Sequence, residues 1–188
     1  IFNICYKLGY KAIITDEEKI ILNSDFIILP GVGSFDTGIK NIKSKGLKET
    51  LNKAVMKEKI NTLGICLGAQ LMLDKSDEGL LNGLGFVPGE VTSLKKTFDK
   101  LKIDLPIPNM GWRYINYKEK KIQSKERYYF VHSYYLNLKN KKHAIMLSNY
   151  GFSFTCAYKY KNITGFQFHP EKSHSYGLKL LKNYFERV

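Results

Sequence analysis

Acidic residues are scarce in this sequence of 188 residues: 17 aspartates and glutamates stand against 30 lysines and arginines, a formal net charge of +13. Cysteine is scarcer still. Cys5, Cys66 and Cys156 are too few and too scattered for a disulfide framework or a metal cluster. No metal and no organic cofactor is expected. No apolar run approaches the ~20 residues that a membrane-spanning helix needs, and no charged-then-apolar leader opens the sequence. These absences argue for a soluble, cytoplasmic domain. Internal repeats, low-complexity linkers and composition breaks are also lacking, so residues 1–188 are expected to form one domain, and 44% hydrophobic residues suffice for its core.

The excess of positive charge raises the question of nucleic acid. The lysines are dispersed, however, in runs such as Lys118-Glu119-Lys120-Lys121 and Lys139-Asn140-Lys141-Lys142. Both fall between strand-like segments, where a solvated turn accounts for them. No nucleic-acid partner is expected. A positive surface would still attract an anionic partner protein or a phosphorylated metabolite.

The first half alternates strand and helix patterns. Residues 1–9 read as a helix tail ending at Gly9, followed by a short strand from Lys11 to Thr15. Asp25 to Leu29 is a continuous apolar run stopped by Pro30, the pattern of a strand buried on both faces. A helical stretch passes through Leu47, Leu51, Ala54 and Val55. Thr62 to Ile65 reads as a strand and Leu67 to Leu73 as a helix. This rhythm implies a parallel sheet with helices on its faces. The second half is richer in strands, at Gly89 to Leu94, Trp112 to Tyr117, Tyr128 to Tyr135, Ala144 to Ser148, Phe152 to Tyr160 and Thr164 to Phe168. An amphipathic helix through Leu178, Leu181, Tyr184 and Phe185 closes the chain.

Within this pattern the three thiols separate. Cys5 belongs to the helically spaced stripe Ile1, Ile4, Cys5, Leu8, and Cys156 alternates with Phe152, Phe154 and Tyr158. Both read as core residues. Cys66 alone sits between glycines, in Gly64-Ile65-Cys66-Leu67-Gly68. A G-x-C-x-G turn between a strand and a helix presents its central side chain at the carboxyl edge of a sheet, and the start of the following helix favours a thiolate there. Phe168-His169-Pro170-Glu171 supplies partners for such a nucleophile. On an extended segment residues i and i+2 share a face, so Glu171 can orient the His169 ring. Pro30-Gly31-Val32-Gly33-Ser34 follows a strand and offers unobstructed backbone N–H groups, a natural partial oxyanion hole.

PGVG, GICLGAQ, NMGWR, YFVHSYY and GFQFHPEKSH, in this order over nearly the whole chain, together resemble the class I, triad-type glutamine amidotransferases. Within that class they resemble the glutaminase subunit of imidazole glycerol phosphate synthase. The resemblance implies a Cys66, His169, Glu171 triad and oxyanion donors at Gly33 and the Leu67 N–H. It also implies glutamine-binding side chains at Gln70 and Glu78, with Ser133 and Tyr134 bordering the bound glutamine. Asn109, Met110, Trp112 and Lys172 then fall on the face toward a partner synthase. His132 and His174 lie inside the motifs and read as structural.

Two departures accompany the resemblance. Family members open with a strand and a glycine-asparagine segment, and this sequence starts just after them, so the first strand is expected to be missing from the sheet. They also usually carry His-Met-Gly-Trp-Asn where Asn109 to Arg113 reads NMGWR. The implied fold is α/β in three layers, a mixed and mainly parallel sheet with helices on both faces. The implied activity is hydrolysis of glutamine through a cysteine thioester, with ammonia passed to a (β/α)₈ synthase subunit for histidine biosynthesis. Two rivals keep the fold: a glutaminase feeding an amino-sugar-forming partner, which the departures at Asn109 and Arg113 favour, and a non-catalytic regulatory subunit.

Overall fold

The computed structural model describes residues 1–119 and 124–187. Helices α1 (Phe2–Lys7) and α2 (Glu18–Leu22) lead into strand β1 (Phe26–Gly31). Helices α3 (Phe35–Ser44) and α4 (Leu47–Asn52), the latter extended by a π turn, then lead to β2 (Asn61–Cys66) and α5 (Leu67–Leu71). After β3 (Lys75–Ser76), β4 (Gly89–Ser93) and α6 (Leu94–Leu101) come six strands: β5 (Asn109–Tyr117), β6 (Arg127–His132), β7 (Tyr134–Leu138), β8 (Ala144–Asn149), β9 (Ser153–Tyr160) and β10 (Ile163–Phe166). Helix α7 (His174–Phe185) follows.

The strands join one mixed sheet in the order β1-β2-β10-β9-β7-β4-β3, with β8 branching from β9, β5 from β8 and β6 from β5. Helices cover both faces, as the three-layer expectation requires. Phe35 and Ile39 of α3 and Leu67 and Leu71 of α5 enter one buried cluster, while Phe98 of α6 and Leu181 of α7 enter the other with Phe130, Phe166 and Phe168. Each fully buried phenylalanine among these contributes ~1.5–3 kcal/mol of transfer free energy. The sheet is parallel where it carries the nucleophile, between β1 and β2, between β2 and β10, and again between β3 and β4. The remaining pairings are antiparallel. "Mainly parallel" therefore holds for the βαβ half and not for the strand-rich half, whose short connections suit hairpins.

Other expectations shift locally. Lys11 to Thr15 forms no strand; Ile13 and Ile14 point outward at 59% and 84% exposure, with no strand beside them. Strand β1 is only partly buried because it lies at the sheet margin and pairs with β2 alone. The run Tyr128 to Tyr135 is interrupted at Ser133: β6 pairs with β5, and β7 turns away to β4. Helix α6 is an addition to the elements expected from periodicity; Ser93 accepts the Lys96 N–H at its start, and Leu94 and Phe98 bury one face. Cys5 and Cys156 are buried core thiols, as their periodicity predicts. Lys139 to Lys142 occupies the turn between β7 and β8, whereas Lys120 and Lys121 lie outside the described residues.

Helix α5 lies against β1 and β2 at backbone contact. A Cβ on Gly68 would sit 1.7 Å from the Leu29 carbonyl oxygen, and one on Gly64 would sit 2.7 Å from the Ala69 Cα. Gly46, by contrast, has a left-handed φ of 66° and open space around it. Gly68→Ala is thus expected to destabilise the fold by roughly 3 kcal/mol or more, against ~1 kcal/mol for Gly46→Ala, which meets only backbone strain. Urea unfolding of the two variants would show this ordering; equal losses would mean that α5 can lift off the sheet.

Candidate active site

The chain turns from β2 into α5 at Cys66, whose backbone adopts φ 51°, ψ −112°. A non-glycine residue held there stores ~1–3 kcal/mol of strain and persists only where its surroundings over-determine it. Here they do. The parallel ladder aligns Cys66 with Gly31 of β1, and the glycine contacts described above clamp the start of α5. Cys66 is 8% exposed and faces a cleft.

Across that cleft stands His169. Its backbone N–H donates to the Tyr129 carbonyl of β6 at 2.9 Å, and its own carbonyl accepts the Ser173 hydroxyl at 2.6 Å. The same hydroxyl accepts the Tyr129 N–H at 2.9 Å, so one buried serine ties both segments together. On the ring, Nδ1 lies 2.6 Å from Glu171 Oε1. Nε2 is buried and makes no hydrogen bond among the described residues; on that side its ionisable neighbour is Cys66. Burial works against the imidazolium, but the proximity and charge of Cys66 and the hydrogen bond and charge of Glu171 outweigh it and hold the His169 pKa up at about 9. Burial likewise opposes the Glu171 carboxylate, yet the bond to His169 outweighs it and keeps that carboxyl below its ordinary range. The other two thiols are pushed upward by burial, Cys156 far upward, and have no such partner among the described residues.

The cleft encloses about 390 Å³, and Gly33, Cys66, Leu67, Gln70, Glu78, Ser133, Tyr134 and His169 all line it. The residues expected at the oxyanion hole and the glutamine side therefore share one cavity with Cys66 and His169, and Glu171 is reached through the His169 ring. Gly33 needs its glycine for conformation, φ 100°, and not for space, since a Cβ there would meet nothing within 4 Å. Glu78 also serves the fold itself, because its Oε2 accepts the Phe35 N–H at 2.9 Å and so fastens the first turn of α3 next to the PGVG loop. Gln70 Nε2 donates to the Tyr134 carbonyl at 3.2 Å and to Gln167 Oε1 at 3.1 Å. Gln167 Nε2 in turn faces Cys66 Sγ at 4.0 Å. Gln167 is a site residue that the motifs leave unassigned, although it precedes His169 by two positions and so shares its face on an extended segment.

The residues expected at a partner surface divide. Met110 is 55% exposed, Lys172 is exposed, and Trp112 is half-buried, stacked on His174 at 5.6 Å with the Arg127 guanidinium over its ring. Asn109 is a correction: it is fully buried, with Nδ2 3.0 Å from His132 Nε2 and Oδ1 accepting Arg113 Nε–H at 3.0 Å. A polar side chain with both ends satisfied inside the protein has nothing left for a partner. His132 sits inside this network, and burial pushes its pKa down to about 4, which keeps the ring neutral.

The sequence pattern described as glutamine amidotransferase class-I matches residues 3–188. The chain belongs to the class I glutamine amidotransferases. Imidazole glycerol phosphate synthase subunit HisH 2 of Methanococcus maripaludis is 44% identical to this amidotransferase over 99% of this chain and 92% of its own length. The HisH subunits of Leptospira borgpetersenii, at 38% identity over 97% and 91%, and of Pseudomonas aeruginosa (HisH 2), at 36% over 100% and 93%, are similar in the same way. Among solved structures, a glutamine amidotransferase superposes with a TM-score of 0.73 over 100% of this chain and 92% of its own, at 14% identity. The glutaminase domain of Trypanosoma brucei CTPS, solved with bound acivicin, gives 0.61 over 98% and 85%, at 16% identity. Both share the α/β fold of the amidotransferase.

The His169–Glu171 pair has a pH signature. Because folding raises the His169 pKa from 6.5 to about 9, its stabilisation is complete below pH 6.5 and lost as pH rises through about 9. The lowered Glu171 pKa contributes above 4.5 and fades as pH falls below it. Glu171→Gln is therefore expected to cost on the order of 2 kcal/mol near pH 6 and little above about pH 9. Urea unfolding of both proteins across that range would show the gap closing; a gap independent of pH would deny the ring its charge.

Proposed function

We propose that this amidotransferase is the glutaminase subunit of an imidazole glycerol phosphate synthase, acting in the cytoplasm as a single domain. One observation carries the proposal: a strained, cleft-facing Cys66 stands opposite a buried histidine whose far nitrogen is held by a carboxylate at 2.6 Å. A nucleophile, a proton carrier and an orienting group are the minimum set for acyl transfer through a thioester.

In the first half-reaction the Cys66 sulfur attacks the side-chain carbonyl carbon of glutamine. The oxygen, gaining charge, accepts hydrogen bonds from the Gly33 and Leu67 N–H groups. The C–N bond then breaks, and the departing nitrogen takes a proton from His169 Nε2 and leaves as ammonia. In the second half, water attacks the γ-glutamyl thioester, His169 receives its proton, and glutamate departs with the sulfur restored. Glu171 keeps the ring in one orientation throughout. Gln70, Glu78, Ser133 and Tyr134 border the space for the substrate's remaining atoms. No step calls for a metal or an organic cofactor.

Ammonia released to solvent would be diluted and protonated, so a partner that consumes it is implied, and HisH relatives are named as subunits of a synthase. We place a cyclase subunit of the (β/α)₈ type on the face formed by Met110, Trp112 and Lys172. The rival acceptor, an amino-sugar-forming partner, draws its support from Asn109 and Arg113. Asn109 is buried and Arg113 is turned onto it, so this departure is an internal repacking and carries no information about the acceptor. A purely regulatory subunit would have no use for the complete dyad facing Cys66.

Cys66→Ala is expected to abolish glutamine-dependent synthesis while the complex still uses added ammonium; glutamine consumption at the parental rate would remove Cys66 from its role. Met110→Asp, an exposed change expected to alter stability by no more than ~0.5 kcal/mol, should weaken cyclase binding at least tenfold in a titration. Unchanged affinity would place the partner elsewhere.

A further inference from the structure

We propose that Gln167 is a positioning residue for the Cys66 sulfur: its side-chain amide presents a fixed N–H donor to Sγ and steadies the thiolate for attack. The inference deepens the glutaminase reading and rests on it.

Amide orientation is the crux, because a glutamine could equally turn its oxygen toward the sulfur, where it would repel a thiolate. The surrounding polar groups decide. A backbone carbonyl can only accept, so the Gln70 atom 3.2 Å from the Tyr134 oxygen must be Nε2. That same nitrogen lies 3.1 Å from the nearer end of the Gln167 amide, which must therefore be Oε1. Nε2 of Gln167 is left facing Cys66 Sγ at 4.0 Å.

The other side of the Tyr134 carbonyl agrees. Arg113 can only donate, so the Asn109 atom 3.0 Å away is Oδ1, and Asn109 Nδ2 donates to His132 Nε2. His132 then carries its proton on Nδ1 and donates to the Tyr134 oxygen at 2.9 Å. The carbonyl thus receives two donors, one for each lone pair, and none of the amides has a second orientation. Gln167 is 0% exposed, so water cannot take its place. A neutral thiol needs no donor, whereas a buried thiolate does. His169 Nε2 can serve as one, and Gln167 supplies a second from another direction. The 4.0 Å separation is a weak contact for a neutral thiol, and a charged sulfur would draw the N–H closer.

Gln167→Met keeps the length of the side chain and deletes the donor. Its test is the rate of iodoacetamide alkylation at Cys66, resolved by mass spectrometry over roughly pH 6 to 10, together with kcat and KM for glutamine in the presence of the cyclase partner. The expected result is an alkylation profile displaced to higher pH by roughly one unit and a kcat reduced roughly tenfold or more, with KM little changed. Gln70→Met leaves Gln167 in place but frees its amide to rotate; a smaller displacement in the same direction is expected, and this variant carries the test should Gln167→Met not fold. A lowered melting temperature with the wild-type alkylation profile in the folded variants would make Gln167 a packing residue and overturn the proposal. Failure of the glutaminase reading looks different: the wild-type protein and its Cys66→Ala variant would then consume glutamine equally.

Discussion

Helix α5 can rest on β1 and β2 only because positions 64 and 68 carry no side chain, and the rest of the site descends from that contact. With the helix pressed onto the Leu29 carbonyl, the chain has one residue in which to turn from strand to helix, and Cys66 takes the strained conformation that results. The strain is not a defect of the turn. It leaves Cys66 lining the cleft while the flanking backbone stays locked in a parallel ladder. Gly33, Leu67 and Gln70 then reach the same cavity because they lie a short step along the two segments that the contact joins.

Two buried histidines show how strongly surroundings assign roles. His169 faces a carboxylate and a thiol, and its affinity for a proton rises; His132, buried beside an arginine-held amide with no carboxylate on its ring among the described residues, loses affinity. The first can therefore move a proton. The second can only pass hydrogen-bond polarity along, which is what a fixed tautomer does well. Both stand near β6, His132 at its end and His169 bridged to Tyr129.

Much of this is legible in the sequence because the chemistry uses short intervals. The elbow, the HPE triplet and the PGVG loop each depend on neighbours within a few positions, so residue order alone discloses them. The Gln70–Gln167 bond, the Glu78 bond to Phe35 and the burial of Asn109 depend instead on which strands adjoin, and no local pattern carries that information. The same distinction explains the fold. Helical and buried-strand periodicities locate most elements, whereas the break at Ser133 and the balance of parallel and antiparallel pairs are decided by partners far along the chain. The apolar stripe of α6 is short and lysine-rich, which leaves the Ser93 cap as the signal that marks it.

Ser173 joins Tyr129 to His169 through a single hydroxyl, and β5 meets β6 on the opposite edge. The footing of the histidine is thus anchored on one edge of β6, while the neighbouring strand β5 carries Met110 and Tyr114 exposed to solvent. Substitutions at such exposed positions remove no hydrogen bond that holds the ring. A scaffold divided in this manner is modular: the core around Cys66 and His169 can stay constant while its exposed face varies.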